Sequence, residues 1–596
     1  MKTSIKKLIK NYISQALLGD RTFHCEKDID IPLQNGREHF DWIRSDIVGL
    51  VEAFVQENRL CDSAFIKGMN SVFKTKRFDS LLKKWICEYM IDLLNAMDSF
   101  SRDDLIKSGR LVLDDNPINR YAFEKFSSRF KIIPKIKWVR RRNTISCIFV
   151  IFFQALFVLY FSLNSGIAIF RAKKKYKVMR ELVWGFYPTG GYYFHDDFLV
   201  DEKSIKKDDL LLFSRKDIKQ CEQRNKAYQQ AKMLRFNTFY LPSLKISFAT
   251  FFFRVIPLYL VGGMGSLSAE ISSANFSLFS RISRYFISYA LPYEKIFSNY
   301  EIGAELGYSF YSSRHIPEAI VCQNMKTRYY LAYGSDMSSD SIKYSISFLG
   351  CDKYFAWGAA NALTGREASD IFIHSGYIFK RFINNVKFRR SYILSEMGIH
   401  SVGKVVTFFD ESFGGGSVLK AEHYVNFWKT ALELAVKEPK LTVIMKSKEL
   451  SRYHELPREL RDRFLEIKKR IEELGNAHII DEKKWSFIEC IGVSDIVVTE
   501  SMTSSATIAI ICGIEGLYLD EAELDHPFSR ILKDKAVFKE SDKLLKMIRD
   551  ISNGEMSVLS EIPKDLIRRI DEYPDDRGID VLRAVLTGSG SGAPHN

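Results

Sequence analysis

The residues best placed to do chemistry are a run of acid and hydroxyl side chains, Glu500, Ser501, Thr503, Ser504 and Ser505. They stand between a strand-like stretch, SDIVVTE, and a helix-like one, TSSATIAIICG. Backbone N–H groups at a helix start lack intrahelical partners, and with the positive end of the dipole they form an anion site. Small side chains let a phosphate approach, and their hydroxyls add donors; the same residues also serve as plain N-caps. In LTVIMKSK, Lys446 and Lys448 put two cations at the end of a strand, where open α/β sheets hold ligands. FFDESFGGGS offers Asp410 and Glu411 and then three glycines including Gly415, which permit close backbone approach. The Gly- and Tyr-rich stretch YPTGGYYFHDDFLVD holds His195, Asp196 and Asp197, and a His or Asp there can take a proton from a hydroxyl. CQNMKTRYYLAYGSDMSSD carries Gln323, Lys326, Arg328, Ser335 and Asp336, and His374 in IHSGY reads as a core histidine.

These groups need elements to hold them. From 401 the spacing predicts a regular alternation: strands at 404–410, 441–448, 477–480, 495–500 and 516–520, and helices at 424–439, 460–475, 485–493 and 503–513. Five strands separated by helices or short connections make a Rossmann-like layer. Between 178 and 390, ELVWGFYP, DLLLFSR, EAIVCQ, KYFAWG and DIFIHSGY read as strand ends of a second parallel α/β sheet. There is no GxGxxG fingerprint and no Walker A loop. Residues 1–140 read as a helical packing region, with Asp79 and Ser80 able to cap its second long helix.

A net charge of +14 on 596 residues suits an anionic partner. Nine scattered cysteines, an odd number without a CxxC pair, argue against a disulfide framework or a structural zinc and fit a reducing compartment. From Thr144 to Phe170 there is no charged residue, and basic residues flank the run on both sides. This is one tilted transmembrane helix, a helix or hairpin lying in one leaflet, or a buried core helix, the last unusual for a run this long. The stretch 246–265 carries Arg254 and Pro257 mid-way and reads as an interfacial or core element, because a charge makes a span costly. The expected division is a helical region 1–140, a membrane-associated helix 144–170, a Rossmann-like domain 175–395 with interfacial segment 243–266, a second Rossmann-like domain 400–555, and a C-terminal helix with a Gly/Ser-rich tail over 556–596. The basic residues cluster beside the apolar run and are not interleaved with aromatics, which argues against nucleic acid.

The segment 494–520, SDIVVTESMTSSATIAIICGIEGLYLD, resembles the donor-diphosphate turn of GT-B glycosyltransferases that build bacterial surface polysaccharides. It is similar in type to the teichoic-acid glycerophosphate transferases and the UDP-GlcNAc 2-epimerase-like group, over roughly 310–530. The resemblance implies an α/β fold of two Rossmann-like domains. It further implies a nucleotide-sugar as substrate with no separate cofactor and no metal. The diphosphate would sit on Ser501–Ser505, with Lys446 and Lys448 near it. Asp410 or Glu411 would orient a sugar hydroxyl, and Asp520 or Glu521 would hold the ribose. His195 or Asp196 would be the base, while Gln323 and Asp336 would face the acceptor. Two departures stand out: Lys446-Ser447-Lys448 lacks the family's Pro-His, and Asn324 replaces the His of its QHG segment. The expected activity is a membrane-associated transfer to a lipid-linked or growing polysaccharide on the cytoplasmic face of the cell (inner) membrane, with an anionic membrane surface as partner. A polyol-phosphate transferase, an epimerase, or a non-catalytic membrane scaffold of the same fold are the alternatives.

Overall fold

The computed structural model describes residues 23–25, 37–102, 111–114, 116–126, 136–139, 144–164, 167–168, 173–181, 198–201, 203–214, 229, 231–232, 235–241, 244–307, 313–332, 347–362, 371–400, 403–413, 419–482, 484–524, 527–573 and 575–588. The N-terminal region holds the helices Arg37–Glu57, Ala64–Val72, Arg77–Arg102 and Pro117–Phe126. It is not purely helical as the sequence suggested. Strands β1 (Phe23–Cys25), β2 (Leu111–Asp114) and β3 (Ile136–Val139) form a small sheet, antiparallel between β1 and β2 and parallel between β2 and β3. Runs of three or four residues are too short to show a period. Helix Arg77–Arg102 is not capped by Asp79 or Ser80. The Thr75 hydroxyl accepts from the Arg77 N–H at 3.1 Å, and Asp79 lies in the first turn, accepting from Asn70 at 2.8 Å.

This region shares one core with the first large sheet. Phe73 and Phe78 pack against Phe286, and Arg77 donates to the Ala319 carbonyl at 2.8 Å and pairs with Asp352. Two apolar helices lie in the same layer. Thr144–Asn164 takes up most of the uncharged run and leads to β4 (Ile167–Ala168), which pairs with β8 (Ile246–Ser247). Phe248–Ser268 is one continuous helix with a π-helical stretch, Phe251–Gly263, around Pro257. It is long and apolar enough to cross a membrane, while the apolar part of the other, Cys147–Ser162, is shorter. Each buries one face on helix Phe276–Asn299.

The first large sheet contains β5 (Lys174–Glu181), β6 (Leu210–Ser214), β7 (Asn237–Tyr240), β9 (Tyr300–Gly307), β10 (Arg328–Ala332), β11 (Lys353–Ala356) and β12 (Phe372–His374). Their order is β12-β11-β10-β9-β5-β6-β7, all parallel. Counted from β5, this is the doubly wound order 3-2-1-4-5-6 with one strand added, and the order reverses between β5 and β9. EAIVCQ is not a strand. It belongs to helix His315–Asn324, buried from His315 to Cys322. A short apolar run reads alike in a buried strand and a buried helix, and only β10 beyond it settles the matter. Of ELVWGFYP, Glu181 ends β5, and 182–197 lies outside the described residues.

The second sheet contains β13 (Val405–Phe409), β14 (Thr442–Lys446), β15 (Ala477–Ile479), β16 (Ile496–Glu500), β17 (Glu515–Leu519) and β18 (Val537–Phe538), ordered β15-β14-β13-β16-β17-β18 and all parallel. Strands β13, β14 and β16 are buried along their whole length, as befits continuous apolar runs covered by helices on both faces. This again is 3-2-1-4-5-6, with its switch point between β13 and β16. The two-residue β18 carries no sequence signal of its own.

The chain crosses between the sheets twice. Helices Lys380–Phe388 and Arg390–Glu396 follow β12 and pack on the second domain, where Arg390 pairs with Asp495. After helix Ser541–Ser552 the chain returns through Val558–Glu561 and Lys564–Ile570 to Gly578–Thr587. The last helix lies on the first domain: Arg583 donates to the carbonyls of Phe198 (2.7 Å), Leu199 (3.2 Å) and Val200 (3.0 Å).

Candidate functional site

At the switch point of the second sheet, the turns after β13, β14, β16 and β17 bring together residues scattered from 410 to 521. Asp410 follows β13 and is buried. One oxygen accepts from the Lys448 N–H at 2.6 Å, and the other from the Trp428 indole at 3.0 Å. It therefore laces β13, β14 and helix Ala421–Lys437 together. Burial pushes its carboxyl up to about 6, against the pull of these donors. Glu500 ends β16 with 2% of its surface exposed. One oxygen accepts from the Glu411 N–H at 2.9 Å, and the other is buried without a hydrogen-bond partner. Burial, and then the charges of Asp410, Glu411 and Glu521, hold this carboxyl well above the usual range. Glu500 is thus a buried carboxyl biased toward its protonated form, with one oxygen lacking a hydrogen-bond partner.

The next residue, Ser501, has φ +56°, a left-handed conformation uncommon outside glycine. It is fixed by its N–H on the Leu519 carbonyl (2.7 Å) and its hydroxyl on Asp520 (2.7 Å). The turn swings the chain from β16 into helix Ser504–Ile511. Thr503 stands at the N-cap with extended backbone, yet its hydroxyl does not cap the helix. Thr503, Ser504 and Ser505 are half-buried at this mouth. An anion arriving there would meet the helix dipole and first-turn N–H groups.

The two lysines part ways. Lys448 is exposed and pairs with Glu411. Lys446 is buried, donates to the Ser447 carbonyl at 3.1 Å, and acts by its charge on Glu489 and Cys490. Asp520 is buried, with its oxygens taken by Ser501 and by the Leu524 N–H at 2.7 Å. Of the two acids proposed for a ribose, Glu521 is the more open, with Asn426 at 3.5 Å. Trp428 gave no sign of a role in the sequence, because it sits on the buried face of an ordinary amphipathic helix.

On the first domain, Gln323 ends a helix and accepts from the Thr75 hydroxyl at 2.8 Å, and Asn324 donates to the Phe73 carbonyl at 2.8 Å. Both serve the contact with the N-terminal region and precede β10; neither stands at the end of a strand. His374 is not a core histidine: it is half-exposed at the end of β12, 3.6 Å from the Glu572 carboxylate. His195, Asp196, Asp336 and Gly415 lie outside the described residues. Among the described residues no group of three His, Cys, Asp or Glu is arranged to hold a metal ion.

The switch point thus offers two handles: a helix mouth for an anion, and the acids Glu411, Glu500 and Glu521 for hydroxyls. No family model matches the chain, and no curated protein matches it. Among solved structures it is similar to the wall teichoic acid polymerase TagF, at 9% identity and a TM-score of 0.43 over 75% of this chain and 97% of that one. It is similar to the S. aureus MnaA–UDP complex at 10% identity and 0.40, over 69% and 96%. A third is the Methanocaldococcus jannaschii UDP-GlcNAc 2-epimerase in complex with UDP-GlcNAc and UDP, at 9% identity and 0.39, over 70% and 99%.

Proposed function

We propose that this chain is a membrane-associated glycosyltransferase of the GT-B type, taking a sugar from a nucleotide-sugar to a lipid-linked or growing surface polysaccharide. The observation that carries the donor half is the juxtaposition at the β13/β16 switch point. A helix mouth at Thr503–Ser505, whose N-cap Thr503 side chain makes no capping bond, stands next to Glu500, a buried acid with one oxygen lacking a partner. The diphosphate would rest on the mouth, and the hydroxyls of the sugar or ribose would meet Glu500, Glu411 and Glu521. The departing diphosphate would be stabilised there by fixed dipoles, without a metal. The acceptor would approach from the first domain, with His195 or Asp196 taking the proton of its hydroxyl. The site would work on the cytoplasmic face of the cell membrane.

A thermal-shift series with UDP-, CDP- and GDP-sugars tests this directly. One nucleotide class should raise the melting temperature, and Ser504→Glu, which sets a negative charge at the mouth, should abolish the shift while leaving the unliganded melt close to the parent's. No shift with any nucleotide would sink the donor assignment and favour a scaffold. Transfer of a polyol phosphate, or epimerised product without transfer, would move the chain to one of the alternative reactions.

A further inference from the structure

Two helices of the first domain expose apolar strips among the described residues. On Thr144–Asn164 the outward residues are Ile148, Phe149, Phe152, Phe153, Leu156 and Tyr160. On Phe248–Ser268 they are Phe248, Phe252, Phe253 and Val261, with Phe253 80% exposed. The helices touch each other, and both back onto helix Phe276–Asn299, so both strips face away from it. Ten large side chains at roughly 100 Å² each give on the order of 1,000 Å², against ~300–600 Å² for the largest patch of a typical soluble monomer.

The opposite faces are fastened by polar contacts. Gln154 donates to the Ser280 carbonyl at 3.0 Å and accepts from the Ser283 hydroxyl at 3.2 Å. Arg254, the one charged residue of the second helix, turns inward onto buried Glu294, which also accepts from Tyr259 at 2.9 Å. Surrounding either helix with lipid would strip these contacts and leave the Arg254 charge or the Gln154 amide without its partner in hydrocarbon. At one end of the patch, Lys245, next in sequence to β8, carries a carbonyl bonded to Asn299 at 2.9 Å. Tyr300 follows Asn299 and pairs with Lys174 across β9 and β5. Exposed Lys173, Lys174 and Lys245, with Lys175 paired to Glu301 at 2.9 Å, therefore border the Phe248 end. Phospholipid headgroups would complement them.

We infer that the two strips together form a single in-plane docking face, seated in one leaflet of an anionic bilayer, with neither helix crossing it. The inference rests on the membrane half of the reading above and is independent of its donor half. Flotation of the full chain, without nucleotide, on vesicles of phosphatidylethanolamine and phosphatidylglycerol tests it. Binding is expected, weaker on phosphatidylcholine and weaker for Lys174→Glu/Lys245→Glu. Phe149→Asp and Phe253→Asp should each lower partitioning by about tenfold or more. Their melting curves should stay at the parent's, because both side chains already face outward. A tryptophan in Phe253→Trp should be quenched more by bromines near the headgroup than by bromines at the chain ends. Variants that float like the parent, or quenching strongest at the bilayer centre, would overturn the in-plane face. So would a dimer dispersed by Phe253→Asp with no vesicle binding, which would assign the strips to a second copy. Lost flotation with an intact nucleotide shift would be a failure of the variant face alone; lost nucleotide shift with intact flotation touches only the donor assignment.

Discussion

Asp410 and Glu500 lie far apart in sequence, and the structure sets both as buried acids at the ends of the adjacent strands β13 and β16. Their chemistry follows from what each oxygen meets. Asp410 has donors on both oxygens, so its ionised form is supported and its carboxyl stops at about 6. Glu500 has a donor on one oxygen only; burial first, and then the charges of three neighbouring acids, hold its carboxyl well above the usual range. The sign of the effect on stability is fixed. Asp410 has its ordinary value in the unfolded chain and a raised one in the fold, so the native state holds the proton longer, and stability falls as pH rises from about 4 to about 6. At ~1.4 kcal/mol per unit this amounts to about 3 kcal/mol at most. Asp410→Asn keeps an oxygen for one of the two donors and removes the titration. Denaturant unfolding of parent and variant across that window should show the variant losing less stability. Parallel pH profiles would mean that Asp410 stays ionised throughout. Little of this was legible beforehand. The sequence marks Asp410, Glu500 and the hydroxyl run by position at strand ends, but the indole that holds Asp410 and the diverging paths of Lys446 and Lys448 come from tertiary packing.

Helix Ser504–Ile511 is short, and its hold on the crevice depends on how closely it lies on the sheet. Gly516 in β17 is what allows the approach. A Cβ there would stand 2.6 Å from the Ala506 carbonyl and 2.8 Å from Ile510. Neither the strand nor the helix backbone can yield without moving the helix start. Gly516→Ala should therefore destabilise the fold by about 1–3 kcal/mol and weaken nucleotide binding more than its stability loss accounts for. Gly475→Ala, where nothing lies within 4 Å, serves as the control. Equal loss of melting temperature with unchanged nucleotide affinity would show that the mouth does not depend on this contact. At this scale the second domain was largely readable. Its helices are long and periodic, and its strands are unbroken apolar runs between turn residues, so local pattern and final structure agree. The first domain was harder because its elements borrow their burial from the N-terminal helices. EAIVCQ, apolar on all sides, is a helix enclosed by neighbours that no local window contains, and β9, written YEIGAELG, carries glycines and acids that disguise a central strand.

Across the whole molecule, the two crossings of the chain meet at one buried ion pair. Lys380, at the start of the first crossing, and Asp571, on the way back, lie 2.9 Å apart with almost no exposure, and Asp571 also accepts from the Tyr377 N–H at 2.8 Å. The pair ties the returning C-terminal segment to the start of the helices that carry the second domain. A charge in that position is stabilised only by its partner, so removal of either one should cost more than the pair is worth. Asp571→Ala is expected to destabilise by about 3–5 kcal/mol, because the ammonium is left buried and uncompensated. Lys380→Ala should cost a similar amount unless Asp571 takes up a proton, which burial already favours. The double variant should then cost clearly less than the sum, and a double-mutant cycle by chemical denaturation reads that difference as the coupling energy. Strict additivity would mean that water reaches the seam and that the crossings are held by the apolar contacts around them. The coupling would also be visible at the crevice. Asp571 and Lys380 are remote from Glu500 in sequence, and Lys387, on the helix that begins at Lys380, donates to the Cys512 carbonyl just past the end of helix Ser504–Ile511. Loosening the seam should thus reach the nucleotide shift through that one helix, and Lys387→Met, which cuts the connection while sparing the pair, should lower the shift without lowering the stability of the seam.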